Sequence, residues 1–413
     1  MSSDWISTTL GEFAPFKYGK GLPERVRVPG EVAVFSSAGH IGSHSTPLVE
    51  GAGIIIGRKG TVGSVYYAAS SFWPIDTTFF VTDEPSQRDL RYTYYLLTTL
   101  GLDKLNTDSA VPGLNRENAH SRPIKVPSFN EQIAIANTLQ ALDDRITLLR
   151  ETNKTLEAIA QAIFKSWFVD FDPVKAKMDG RQPAGMDEET AALFPDELVE
   201  SELGLIPKGW EVKPVGDVVT TVGGGTPDTK NTDYWMPAMH SWTSPKDLAG
   251  ISSPVLVSTA RSISDKGLAR ISSGLLPKGT LLLSSRAPIG YLAIADLPVA
   301  INQGYIAMTP ASGSLSPVYM LHWCKANMEV IKGQANGSTF MEISKTTFRR
   351  LPIILPPKRI ADSFSALAQQ LLTRITLNVR QADHLADLRD TLLPRLISGK
   401  LRVPIDEAET SEV

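Results

Sequence analysis

The sequence predicts a mixed α/β (α+β) protein, in which two globular domains of short strands and helices are separated by two long helices packed as an antiparallel coiled coil. Three observations predict it. The chain repeats itself, each repeat ends in a long run with heptad spacing, and each run follows a stretch of short apolar or β-branched segments punctuated by glycine and proline. This places a globular domain at 1–127, a long helix at 128–172, a connector at 173–204, a second globular domain at 205–356, a second long helix at 357–401 and a tail at 402–413.

The repeat is read from residues that stay in step. "RITL" occurs at Arg145–Leu148 and again at Arg374–Leu377, an offset of 229. At the same offset Ser109 falls on Ser338, Pro123-Ile124 on Pro352-Ile353, Pro127 on Pro356, Leu142 on Leu371 and Leu156 on Leu385. Upstream the offset is 205: "WISTTLGE" from Trp5 resembles "WEVKPVGD" from Trp210, with Gly11 against Gly216 and Gly19 against Gly224. A third landmark pairs "GIIIGRKGTVG" (Gly53–Gly63) with "TLLLSSRAPIG" (Thr280–Gly290). The halves are therefore related by an internal pseudo-two-fold repeat, with different insertions between fixed landmarks.

Composition sets the outer bounds. At 413 residues, 42% hydrophobic and 21% charged, the chain has ordinary globular composition and is long enough for two cores. One cysteine, Cys324, leaves no disulfide framework or cysteine metal cluster and suits a reducing cytosol, so a cytoplasmic location is expected. "MSSDWISTTL" lacks the features of a signal peptide, and no apolar run reaches membrane-spanning length, so no membrane partner is expected. A net charge of −3 does not by itself point to nucleic acid; a DNA binder of this composition must gather its cations on one face.

In the first long run, Ser128 and Glu131 form a capping box. Beyond it Ile135, Leu139, Leu142, Ile146, Leu149, Asn153, Leu156, Ala160, Ile163 and Trp167 alternate by four and three, a heptad seam that is apolar except at Asn153. A helix of about 40 residues spans about 60 Å at 1.5 Å per residue. The second seam is Phe364, Ala368, Leu371, Ile375, Asn378, Ala382, Leu385, Arg389, Leu392 and Leu396. Packed antiparallel, Asn153 meets Asn378 and fixes the register, Leu149 meets Ala382, Trp167 meets Phe364, and Leu142 meets Arg389, a poor layer unless the arginine reaches solvent. The alternative is that each helix packs only on its own globular domain. In the antiparallel arrangement the globular parts sit at opposite ends of a ruler.

Within the globular halves, runs such as "VYYAA", "TTFFV", "TLLLSS" and "GYLAIA" read as short strands, while Tyr92–Leu100 and Val318–Ile331 read as helices. No catalytic constellation emerges. "GGGTPDTK" (Gly223–Lys230) has glycines without phosphate-loop spacing. His40 and His44 flank a loop-like "IGS" with no carboxylate close by, and His322–Cys324 lie on an apolar helix. Asp196, Glu211 and Lys213 match a metal-nuclease pattern only superficially. No metal site, methyltransferase loop or cofactor-binding turn is expected, and the chain reads as non-catalytic.

The assembled landmarks resemble the specificity subunit of type I restriction-modification systems along nearly the whole chain. They are the tryptophan followed by "LGE" or "VGD", "GGTP" at Gly224–Pro227 with a degenerate "GKGLP" at Gly19–Pro23, "GRKGTVG" and "SSRAPIG", and "INQG" at Ile301–Gly304. "IFKSWFVDFDPV" (Ile163–Val174) and "LLPRLISGKL" (Leu392–Leu401) complete the set. The resemblance implies two target-recognition domains, each reading one half of a split, asymmetric site in double-stranded DNA, with the helices setting the spacing. It also implies two modification subunits that carry S-adenosylmethionine and methylate adenine, and restriction subunits that use ATP and Mg. This chain itself would bind no cofactor. A 60 Å helix would bound the half-site spacing at roughly 17 base pairs.

DNA contact would divide between phosphate positioning and base reading. In the first half the candidates are Lys17, Lys20, Arg25 and Arg27 near the glycine turn, with Arg58 and Lys59 after the apolar strand. In the second they are Thr226, Lys230, Tyr234, Trp235, Arg261, Lys266, Arg270 and Arg286, with Asn302 and Gln303 as base readers. A two-headed scaffold for other ligands is the competing reading, separable by salt-sensitive duplex binding.

Overall fold

The computed structural model describes residues 5–84, 88–105, 113–311, 313–336 and 341–404, so the correspondence of Ser109 with Ser338 lies outside it. The chain forms two compact units, Met1–Ile146 with His384–Val413, and Thr147–Asp383.

The first unit is built on Gly53–Gly57, whose isoleucines 54, 55 and 56 are fully buried, as a run of β-branched residues in a central strand should be. It pairs antiparallel with Val65–Ala68 on one side and Thr78–Thr82 on the other, and Lys17–Tyr18 extends the sheet beyond Thr78–Thr82. A second sheet runs in the order Gly39–His44, Val32–Ser36, Phe72–Pro74, the last pair parallel. Ile6–Thr9 pairs with Pro123–Val126 and thereby closes the domain just before the first long helix.

The second unit repeats this plan. Leu281–Ser284, also fully buried, lies between Leu292–Ala295 and Tyr305–Thr309, with Thr220–Gly223 beyond Tyr305–Thr309 and Val255–Leu256 added at the far edge. Its smaller sheet is Arg261–Ile263, His240–Thr243, Ala300–Ile301, again with a parallel last pair. Glu211–Pro214 pairs with Pro352–Leu355 as Ile6–Thr9 does with Pro123–Val126. The repeat glycines have a steric role: a Cβ on Gly11 would lie 2.7 Å from the His120 side chain, and one on Gly216 would lie 3.0 Å from that of Arg349.

The long helices are Phe129–Phe168 and Lys358–Ile397. They pack together within each unit, and partner numbers fall along one helix as they rise along the other, the mark of an antiparallel pair. In the second unit the Asn378 Nδ2 donates to Asn153 Oδ1 at 2.8 Å, with both side chains buried, and the rings of Trp167 and Phe364 meet at 6.1 Å. Leu372 is buried more fully than the predicted Leu371, because Phe364, Ala368, Leu372 and Ile375 share a core with the adjoining sheet as well as with the partner helix. In the first unit Arg389 does not simply reach for solvent: it bonds Asp143 at 2.6 Å, and Asp143 also accepts from the Tyr95 hydroxyl.

Replacing Asn378 by leucine should cost about 1–3 kcal/mol, because Asn153 would be left buried with no side-chain amide to bond. The double leucine variant should recover most of that loss by making an apolar layer. A double-mutant cycle by thermal unfolding checks this; strictly additive single effects would mean that the two amides do not interact.

Three further expectations are corrected. The Ser128 hydroxyl accepts from the Glu131 amide at 3.3 Å, but the Glu131 carboxylate does not close the capping box: it accepts from Trp5 Nε1 at 3.1 Å and from Arg402 at 3.1 Å, a buried indole and a guanidinium outcompeting a local amide. The stretch 173–204 is more than a connector. It forms the helices Asp172–Met178 and Glu188–Ala192 and the strand Leu198–Ser201 of a hairpin, and seats Val174 and Phe194 in the second unit's core. The helix expected over Val318–Ile331 is two helices, Pro317–Ala326 and Met328–Gly333, divided at Asn327, whose side chain bonds the Trp323 carbonyl.

His322 lies on Pro317–Ala326, 3% exposed, with Nδ1 2.8 Å from Gln161 Oε1. Burial, reinforced by the Lys325 ammonium, lowers its pKa to about 3. A folded pKa below the unfolded one means that the unfolded chain takes up the proton first, so stability is lost as pH falls from about 6.5 toward 3. Between pH 6.5 and 5 the loss from this group should be about 2 kcal/mol. Unfolding of wild type and His322→Gln at both pH values tests it; equal pH slopes would remove the effect.

Candidate nucleic-acid interface

In the second unit two segments that are distant in sequence are locked together. The Gly225 amide donates to the Ile301 carbonyl at 2.9 Å, and a Cβ on Gly224 would lie 2.0 Å from that same oxygen, so only glycine permits the approach. Trp242 Nε1 donates to the Gly225 carbonyl at 3.1 Å. The Thr226 hydroxyl then donates to Gln303 Oε1 and accepts from Asn302 Nδ2, each at 2.6 Å, while Asn302 Oδ1 accepts from the Gly304 amide at 2.7 Å. Thr226, Asn302 and Gln303 therefore form one polar cluster, with Thr226 and Gln303 exposed.

Beside this sequence in the fold, Arg261 lies 3.4 Å over the Trp235 ring and 5.5 Å over Trp242, and the two indoles meet edge to face at 5.3 Å. Arg270 stands 5.4 Å over Tyr234. Lys266 is bonded to Asp233 at 2.8 Å, which raises its pKa, and Arg286 faces Glu342 at 3.5 Å; both cations are already partnered. Lys230 is exposed.

The first unit repeats the lock. Lys20 donates its amide to the Pro74 carbonyl at 3.0 Å, Trp73 Nε1 donates to the Lys20 carbonyl at 2.8 Å, and a Cβ on Gly19 would lie 2.1 Å from the Ile75 carbonyl. Arg58 donates to the Asp76 carbonyl at 2.6 Å and lies 5.4 Å over the Tyr18 ring, which also has Arg116 at 5.0 Å and packs edge to face on Phe79. Lys17 bonds Thr82, and Arg27 bonds the Ile41 carbonyl, so both also serve the fold. Lys20, Arg25 and Lys59 present exposed side chains. Tyr18, Asp76 and Arg116 escaped the sequence reading; extending the repeat through "PIDT" and "INQG" would have found Asp76.

The other candidates resolve into structure. His40 and His44 lie on the strand Gly39–His44 rather than a loop, and His44 Nδ1 accepts from the Val28 amide at 3.0 Å. Lys213 pairs with Glu211 at 2.7 Å, and Cys324 is buried. Among the described residues no three His, Cys, Asp or Glu side chains converge as a metal site, and no helix is long and apolar enough to cross a membrane.

A duplicated sheet carrying a glycine-locked loop in each copy, with paired long helices, defines a class of protein, and the family comparison agrees. The family model for the type I restriction modification DNA specificity domain matches residues 2–158 and 207–381, and the chain belongs to that family. Among individual relatives, the HindI specificity subunit of a type I restriction enzyme from Haemophilus influenzae is 27% identical over 338 residues, covering 70% of this chain and 71% of the relative. The MjaIX specificity subunit from Methanocaldococcus jannaschii is 40% identical over 161 residues, covering 39% and 37% of the two chains. In fold, the chain is similar to the S subunit of a type I restriction-modification system from M. genitalium, with a TM-score of 0.63 over 96% of each chain at 16% identity.

Proposed function

We propose that this chain is the non-catalytic DNA-reading subunit of a type I restriction-modification complex. Each unit reads one half of a split, asymmetric duplex site, and the two long helices set the distance between half-sites. Two modification subunits supply S-adenosylmethionine and methylate adenine; restriction subunits, where present, supply ATP- and Mg-dependent cleavage. The observation that carries this reading is the doubled lock, in which a glycine turn is fastened to the residues before a central strand and exposed polar side chains gather at the joint. Exposed lysines and arginines around it would position phosphates, and the amide and aromatic groups would meet base edges.

The test is co-expression with the modification subunit encoded beside it, followed by sequencing of host DNA for modified adenines. A new split motif with a fixed gap is the expected result. An assembled complex that modifies nothing, and whose duplex binding does not weaken as salt rises, would overturn the reading in favour of a two-headed scaffold.

A further inference from the structure

We infer that Asp76 and Gln303 occupy one equivalent position in the two units and read bases there with opposite hydrogen-bond polarity, Asp76 taking an exocyclic amine and Gln303 a base acceptor. This rests on the DNA-reading function proposed above.

Four main-chain bonds establish the equivalence. Lys20 N to Pro74 O corresponds to Gly225 N to Ile301 O, and Ile75 N to Phe35 O corresponds to Asn302 N to Thr243 O. Arg58 N to Thr77 O matches Ser285 N to Gly304 O, and Thr78 N to Ile75 O matches Tyr305 N to Asn302 O. In each unit three residues thus link the end of the small sheet to the central sheet, and the middle one, Asp76 or Gln303, has an exposed side chain.

The chemistry at the two positions differs. Among the described residues the Asp76 carboxylate has no hydrogen-bond or ion-pair partner; the Arg58 guanidinium bonds its carbonyl instead. A carboxylate facing a duplex only accepts, and phosphates only accept, so every encounter with the backbone repels it. An amine on a base edge, cytosine N4 above all, is the group that satisfies it. Gln303 is held the other way round. The Asn302 amide is committed to Gly304 and Thr226, which leaves the Thr226 hydroxyl proton for Gln303 Oε1 and turns Nε2 outward as a donor. An outward Nε2 suits purine N7, guanine O6 or thymine O4. Being neutral and fixed in orientation, it adds base selection rather than counterion release. Asn302, predicted as a reader, becomes the strut that aims its neighbour.

The experiment uses the full chain co-expressed with the modification subunit, comparing wild type, Asp76→Asn and Gln303→Glu by sequencing methylated adenines in host DNA, with binding of each complex to random-sequence duplex measured alongside. Asp76→Asn should relax one position of one half-site by roughly tenfold while raising affinity for random duplex, since a repulsive charge is gone. Gln303→Glu should shift one position of the other half-site toward an amine-bearing base by a similar factor, leaving the gap unchanged. Motifs identical to wild type, or methylation weakened equally at every site as a phosphate contact would give, overturn the assignment. If wild type itself yields no split motif, the proposed function fails with it; a wild-type motif that neither variant moves sinks only this inference.

Discussion

Phe364→Ala should be the most destabilising single substitution considered for this protein, lowering the stability of the second unit by about 3–5 kcal/mol. The ring is fully buried on the second long helix and contacts Phe164 at 5.4 Å, Trp167 at 6.1 Å and Phe168 at 5.3 Å on the first, together with Tyr319 at 5.9 Å and His322 at 5.6 Å on Pro317–Ala326. Three helices therefore converge on one side chain, largely edge to face, and an alanine would leave a cavity that none of the rigid rings can fill. At the usual entropy of unfolding this is a fall of roughly 10 °C in melting temperature, while Phe364→Leu should lose less than half as much. Thermal unfolding of both variants decides it; a loss under about 1 kcal/mol for alanine would mean that the cluster repacks freely.

Gly224→Ala should have the second large effect, on function more than on stability. The added methyl carbon would lie 2.0 Å from the Ile301 carbonyl oxygen, a main-chain atom with no rotamer to change. The loop must lift away, breaking the Gly225–Ile301 bond and moving Thr226 off Gln303. Overpacking of this kind costs about 1–3 kcal/mol. If the joint reads DNA, methylation of the split site should fall at least tenfold, with the assembled complex retained. Gly250→Ala, where an added Cβ meets nothing within 4 Å, is the matched control and should leave both readouts unchanged. Equal methylation by both variants would separate the lock from recognition.

The long helices were largely legible because heptad spacing states directly which side chains face inward, and Asn153 and Asn378 were set opposite one another by counting alone. The sheets were legible as strands but not as an order, since pairing Lys17–Tyr18 with Thr78–Thr82 joins segments with no local signal between them. Local rules failed where a distant group competed. Glu131 sits in a capping-box pattern, yet Trp5 and Arg402 take its carboxylate. In 173–204, glycine, proline and acidic residues masked the buried Val174 and Phe194. Among the predicted site residues, Thr226, Asn302 and Gln303 do cluster, but Lys266 and Arg286 are cations with partners, which a count of charges does not reveal.

The contact of Arg402 and Trp5 with Glu131 has a consequence for the order in which the molecule is made. The first unit draws its core from two segments far apart in the sequence, with Leu396 and Ile397 packed among residues such as Leu10 and Ile135, whereas the second unit is a continuous segment. On the ribosome, therefore, the second unit has all its residues before the first does. The first unit's N-terminal segment must wait, its helix face uncovered, until the last turns of the second long helix emerge to complete it.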